Sequence, residues 1–284
     1  MALLSARTRA ALLITTALGL SDVQPESAGA AVSVSASGAT LQIGATNVNP
    51  FVTIDHQLGD YVISDGGGAS PGPGCTANGS GQVRCDDTGI TQLSLSALPD
   101  AGAVMSGNVV TLPTGVSILL QGGSGNDIFN SGDGNDTLHG GAGSNDIDGA
   151  DGNDTIDTTG SGSQILTGGN GDDTLTGAGG NNIIDGGEFD GDNTDGNDVI
   201  TGGALQDNLD GGGGNDTINA GGDDDTDVTG GAGDDTLNGG DGDDTLDGGR
   251  NPSGAQDTDT LNGDANDDTL LNSDGPDTFN GGVG

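Results

Sequence analysis

The residues of this chain that could do chemistry are almost all carboxylates. Of 284 residues, 44 are acidic and 4 basic, and Glu26 and Glu188 are the only glutamates. Most of the aspartates fall between Gly122 and Asn280, each a few residues after a glycine-rich step. Carboxylates in such numbers suit a solvated acidic surface, an acid–base pair or a hard cation that takes six to eight oxygen ligands. A glycine-rich loop adds carbonyl oxygens to the ligand set, because its backbone turns inward without a Cβ in the way. Repetition at a fixed step favours metal over catalysis, which needs one pair of carboxylates in one cleft.

The step is nine residues. Sixteen copies of one nonapeptide start at residues 122, 131, 140, 149, 159, 168, 177, 193, 202, 211, 221, 230, 239, 254, 263 and 272, the first three reading GGSGNDIFN, SGDGNDTLH and GGAGSNDID. The eighth position is apolar in every copy, from Phe129 and Leu138 to Leu270 and Phe279. One inward residue per copy means a very short strand preceded by a turn, and stacked copies then share one thin core. The fourth position is Gly in twelve copies and the sixth is Asp in twelve.

GGSGND, SGDGND and GGAGDD resemble the RTX, or haemolysin-type, nonapeptide G-G-x-G-x-D-x-U-x, a known calcium-binding repeat. The resemblance covers somewhat more than half of the chain. It implies an all-β fold, a parallel β-roll with two nonapeptides per turn and multiple Ca²⁺ ions, about seven or more, between adjacent turns. The carboxylates it implies as ligands are Asp127, Asp136, Asp154, Asp173, Asp198, Asp207, Asp216, Asp235, Asp244, Asp259, Asp268 and Asp277. The loop glycines it implies are Gly123, Gly125, Gly132, Gly134, Gly152, Gly169, Gly171, Gly196, Gly212, Gly214, Gly231, Gly233, Gly240, Gly242 and Gly275.

An 18-residue period lies over the nine-residue one. The sixth position of the even copies is Asp without exception, whereas the odd copies read Asp127, Asn145, Gln164, Asn182, Asp207, Thr226, Asp244 and Asp268. With two copies per turn, this predicts a complete calcium column on the even edge, with seven gaps between eight loops, and an odd edge that binds weakly or in part. On the odd edge only Asp244 and Asp268 would stack as a carboxylate pair, with Asp146 and Asp227 one place late. Extra residues fall at Thr158, Gly186 to Asp192, Ala220 and Gly248 to Ser253.

Met1 to about Ala30 has the pattern of a secretory signal peptide: Arg7 and Arg9, an apolar run from Ala10 to Leu20, and small residues at Ala28, Gly29 and Ala30. Cleavage near Ala17 to Gly19 is the other reading. Residues 31–121 are predicted to form a small β-rich N-terminal domain that caps the roll. VSVSASGATLQIGA and FVTIDHQLGDYVISD read as hairpins, ITQLSLSAL continues the alternation, and PTGVSILLQ places Leu120 at the core position. Cys75 and Cys85 suit one disulfide in an exported chain.

The formal charge of -40 excludes nucleic acid and anionic membrane as electrostatic partners. Without metal so acidic a chain leans toward disorder. His56 and His139 are the only histidines and are expected at the surface; no H-E-x-x-H motif or serine-nucleophile elbow is assigned, and the two glutamates exclude an EF-hand array. The expectation is a secreted, extracellular, non-enzymatic calcium-binding protein of structural or adhesive role, with a cell-surface or matrix partner unspecified. Two alternatives stay open: an export and folding module of a longer secreted enzyme of protease or lipase type, and an ice-binding or adhesin face built on stacked threonines.

Overall fold

The computed structural model describes residues 117–187, 195–250 and most of 254–283, together with strand segments between residues 32 and 106. The leader segment assigned to residues 1–30 lies outside the described residues. All regular structure among the described residues is β.

The nonapeptides form strands of three to six residues that pair in parallel, each with the next copy but one. All eight even copies lie in one sheet and all eight odd copies in the other. The alternation along each strand explains the packing. In Thr137–Gly141 the burial runs intermediate, buried, intermediate, buried, intermediate. Leu138 and Gly140 therefore point inward while Thr137 and His139 face out, the period of two that a strand imposes. Leu138, Ile156, Leu175, Ile200, Ile218, Leu237 and Leu261 from one sheet meet Phe129, Ile147, Leu166, Ile184, Leu209, Val228 and Leu246 from the other, none more than 2% exposed. The last layer has a neighbour on one side only, and Phe279 is 42% exposed there.

The roll's sheets continue upstream of Gly122. Leu120 is 1% exposed and stands opposite Leu138 in register. Ser117–Gln121 pairs in parallel with Gln92–Ser96, which pairs in parallel with Thr40–Ala45, itself in an antiparallel hairpin with Val32–Ser37. The second expected hairpin is present as Val52–Gln57 with Asp60–Asp65 in a separate four-stranded sheet. Cys75 and Cys85 form a disulfide in that sheet, with the Cys85 side chain buried.

Glycine is required where layers approach most closely. A Cβ on Gly152, whose φ is +135°, would lie 1.8 Å from the Gly134 carbonyl oxygen one layer away. Gly132 also has positive φ, at +86°, but a Cβ there would meet nothing within 4 Å. Gly132→Ala should therefore cost only the left-handed backbone penalty, about 1–2 kcal/mol. Gly152→Ala should cost about 3 kcal/mol or more once overpacking is added. Denaturant midpoints of the two variants at saturating Ca²⁺ check this, and equal losses would contradict it.

Candidate metal centre

Each loop presents its sixth-position side chain to the interior, and each such side chain reaches one layer along the roll. On the even edge the backbone N–H of Asp136 donates to Oδ1 of Asp154 at 2.7 Å, Asp154 to Asp173 at 2.7 Å, Asp173 to Asp198 at 2.7 Å and Asp198 to Asp216 at 2.8 Å. The ladder continues through Asp235 and Asp259 to Asp277, and starts at the N–H of Ile118, which donates to Asp136. One oxygen of each carboxylate thus substitutes for the backbone pairing that the turn interrupts.

The other oxygen is different. Among the described residues, Oδ2 of Asp136, Asp154, Asp173, Asp198, Asp216, Asp235 and Asp259 is buried without a hydrogen-bond partner. In Asp154, Asp173, Asp216 and Asp235 it lies beneath the inward-facing first-position glycine of its own loop, and in Asp198 and Asp259 beneath Gly186 and Gly248, at the start of the insertions. The place a Cβ on Gly149 would take is 2.3 Å from Asp154 Oδ2 and 2.8 Å from the Gly168 carbonyl oxygen, and Gly211 stands in the same way to Asp216 and Gly230. Carboxylate and carbonyl oxygens therefore converge with no donor between them.

Burial is the largest influence on these groups, and it pushes Asp136 up to about 6, Asp173 and Asp216 to about 7, Asp154 and Asp235 to about 8 and Asp198 to about 9. The ladder N–H groups pull the other way, and stacked carboxylates, such as Asp216 and Asp173 on either side of Asp198, raise the values further.

The odd edge corrects the sequence register. The sixth position of the eleventh copy is filled by Asp225, fully buried, and not by Thr226, which is exposed. Asp207 donates its N–H to Asp225 at 2.6 Å, and Asp225 to Asp244 at 2.9 Å. Ala220 stacks as a first-position residue over Gly202, so the extra residue falls later, before Val228, and Asp227 is exposed rather than a late substitute. Asp207, Asp225, Asp244 and Asp268 hence make a run of four carboxylates where the sequence suggested one pair, each with a partnerless Oδ2. Asp146 is likewise no substitute, because Asn145 occupies the ladder.

Asn145, Gln164 and Asn182 belong to the same ladder as Asp127 and Asp207, each accepting through its side-chain oxygen. Their amide nitrogens then supply what the carboxylate layers lack. Gln164 Nε2 donates to the carbonyls of Gly143 at 2.9 Å and Gly162 at 2.6 Å. Asn182 Nδ2 donates to Ala178 at 3.1 Å and Gly202 at 3.3 Å, and Asn145 Nδ2 to Gly141 at 3.5 Å. Amide layers satisfy their carbonyls internally, while aspartate layers present oxygen to oxygen. That contrast shows that the carboxylate loops fit a cation.

Of the remaining candidates, Asp127 is fully buried and its Oδ2 accepts from Gly123 N–H at 3.2 Å, and Asp277 is half-buried at the end of the even ladder. Positive φ occurs at Gly132, Gly134, Gly152, Gly169, Gly171, Gly196, Gly212, Gly214, Gly231, Gly233, Gly240 and Gly242, but not at Gly123, Gly125 or Gly275. Asp264 and Asn266 take the same conformation in place of glycine. A second, exposed ladder at the fifth position went unread in the sequence: Asn153 N–H donates to Asn135 Oδ1 at 3.1 Å, Asn215 to Asn197 at 2.8 Å and Asp234 to Asn215 at 2.9 Å. No three acidic, His or Cys side chains close on a single point among the described residues, so a cation here takes one or two carboxylates and completes its shell with carbonyls.

Catalytic candidates gain nothing from the structure. His139 is on the outer face, its Nδ1 2.6 Å from Asp157 Oδ2. Gly68, Ser70 and Gly72 do have the G-x-S-x-G spacing that was passed over, yet Ser70–Pro71 is a strand paired with Val32–Ser37 and no helix follows it among the described residues, whereas a nucleophile elbow needs a strand-to-helix turn.

A parallel β-roll with oxygen-lined, glycine-rich loops is the class of structure defined here. Residues 121–156, 158–191, 192–227 and 227–251 match the RTX calcium-binding nonapeptide repeat in four copies, and over these residues the chain is an RTX repeat protein. No curated protein matches the chain.

Two outcomes follow. Asp groups with raised values stabilise the metal-free roll only while protonated, so that stability is present below the ordinary carboxylate value of 3.8 and lost as pH rises toward about 9. Circular dichroism in chelator should therefore show β-structure gained on acidification from pH 8 to pH 4; a flat profile would contradict this. In equilibrium dialysis, Asp154→Asn should lower the number of Ca²⁺ ions bound at saturation and Asn182→Asp should raise it. Equal losses from both would contradict the contrast between the edges.

Proposed function

We propose that this chain is a secreted calcium-binding protein whose roll folds as Ca²⁺ enters between the stacked aspartate loops, and that its role is structural or adhesive with no catalysis of its own. The observation that carries this reading is the contrast between buried carboxylates with a partnerless oxygen and amide layers without one. A buried charged group left unsatisfied costs several kcal/mol. Each Ca²⁺ removes that cost and two of the chain's negative charges at once, so binding and folding become one equilibrium.

Export is supported by the leader pattern of residues 1–30 and by the Cys75–Cys85 disulfide, a bond favoured in oxidising compartments. Outside the cell Ca²⁺ suffices for modules that need ~10⁻⁴–10⁻³ M. An adhesive or ice-binding face has one observation in its favour. Thr137, Thr155, Thr174, Thr217, Thr236, Thr260 and Thr278 align in register on the outside of one sheet, interrupted by Val199.

Far-ultraviolet circular dichroism of the mature chain during a Ca²⁺ titration, with Mg²⁺ as control, tests the coupling. A cooperative coil-to-β transition with Ca²⁺ alone is expected. A chain already folded in chelator at pH 7.5 and indifferent to Ca²⁺ would contradict it.

A further inference from the structure

Asn78, Asn170, Asn238, Asn262 and Asn280 are each followed by glycine. Such a pair can react with itself. The glycine amide nitrogen, its proton passing to solvent, attacks the asparagine Cγ; the Cγ–Nδ2 bond breaks, ammonia leaves, and a five-membered imide remains. Water then opens the imide at either carbonyl, giving aspartate or isoaspartate. The ring cannot close while the backbone is held extended in a sheet, so each pair reacts as often as its segment opens. Glycine puts no Cβ in the way of the attack. Asn78 lies outside the described residues, and the roll treats the other four unequally.

Three of them are held. Asn170 Nδ2 donates to Asp151 Oδ1 at 2.5 Å, and the N–H of Gly171, the attacking group, donates to the Asp195 carbonyl at 2.5 Å. Asn238, Asn262 and Asn280 stand in one file on the outside of the even sheet. Asn238 Nδ2 donates to Asn219 Oδ1 at 2.8 Å, Asn262 to Asn238 at 2.7 Å and Asn280 to Asn262 at 2.6 Å. Asn238 and Asn262 are therefore fixed at both ends, donating through Nδ2 and accepting through Oδ1. Gly239 and Gly263 behind them are buried within the strands Thr236–Asp241 and Thr260–Ala265, each paired with the next layer. Asn280 instead is the exposed last residue of Thr278–Asn280, next to Phe279 in the most open layer of the core. Gly281 is exposed as well, and a Cβ there would meet nothing within 4 Å.

We infer that Asn280 is a site of spontaneous deamidation on the folded roll, and that the modification advances inward along its file, to Asn262 and then to Asn238. The first conversion removes the Nδ2 donor that reaches Asn262. Isoaspartate also adds one atom to the backbone of the strand that pairs Asn280 with Asn262. The last layer then frays and uncovers Gly263, which puts Asn262 in the position Asn280 held before. Stacking thus turns equal dipeptides into an ordered series read from one end. The inference goes beyond the calcium reading and needs only the parallel layers of the roll.

The test is a time course on the full mature chain at pH 8 with saturating Ca²⁺, its fold followed by circular dichroism. Samples are digested with pepsin at acid pH, where deamidation is arrested, and mass spectrometry reads the exchange of amide for acid at each asparagine. Asn280 should convert first, at least about tenfold faster than Asn238, because an end layer opens more readily than an interior one. Asn262 should follow after a lag. Gly281→Ala, which meets no neighbour, should slow Asn280 several-fold and lengthen that lag without changing the spectrum. An unreactive Asn280, equal rates at Asn238, Asn262 and Asn280, or a rate at Asn280 indifferent to Gly281→Ala would overturn the inference. In chelator the calcium reading expects the order to vanish, with Asn170, Asn238 and Asn262 converting as fast as Asn280. An order that survives chelator would contradict calcium-coupled folding and support the present inference.

Discussion

A buried carboxylate with one oxygen satisfied and the other facing carbonyls is the constraint on which the roll depends. The satisfied oxygen takes the backbone N–H of the preceding layer and so carries hydrogen bonding through the turns, where strand pairing lapses. The other oxygen has no hydrogen-bond partner and, in the regular loops, shares with a carbonyl oxygen of the next layer the place where glycine leaves room. Geometry that holds the layers in register therefore also concentrates negative charge inside them. A cation between the layers relieves both the desolvation of the carboxylates and their mutual repulsion.

The core alone is too thin to dominate this balance. Each nonapeptide contributes one side chain to it, and the layers touch through glycine backbones as much as through leucine and isoleucine. Stability must then come from what fills the loops, and the two edges fill them differently. Layers with Asn145, Gln164 and Asn182 are closed by their own amide donors. Layers with aspartate have no such donor for the second carboxylate oxygen. Single oxygen-to-nitrogen exchanges thus decide, along the chain's length, which loops are closed by their own donors.

Much of this was legible in the sequence because the repeat is short and the physics periodic. One apolar residue in nine fixed the strand and the core, the 18-residue period separated two edges, and Leu120 in register placed the roll's start upstream of the first full copy. What was missed depended on partners a layer away. Asp225 was passed over because counting placed the extra residue of its copy at Ala220, whereas stacking moves it past the ladder position. Asn145, Gln164 and Asn182 read as missing ligands, since only the ladder reveals that an amide offers the same acceptor and adds a donor. The exposed fifth-position ladder went unread because its bonds form only when a residue lines up with the same position one turn away. The strands Gln92–Ser96 and Thr40–Ala45 alternate like any hairpin, and nothing local told that they would join the roll's sheet in parallel.

The most direct test of the account is a crystal structure of the Ca²⁺-saturated chain with anomalous data collected to locate the ions. Peaks between the carboxylate layers on both edges, including Asp207 to Asp268, with none between the layers of Asn145, Gln164 and Asn182, is the predicted result. Ions between the amide layers, or none between the aspartate layers, would contradict the claim that partnerless carboxylate oxygens are what the metal completes.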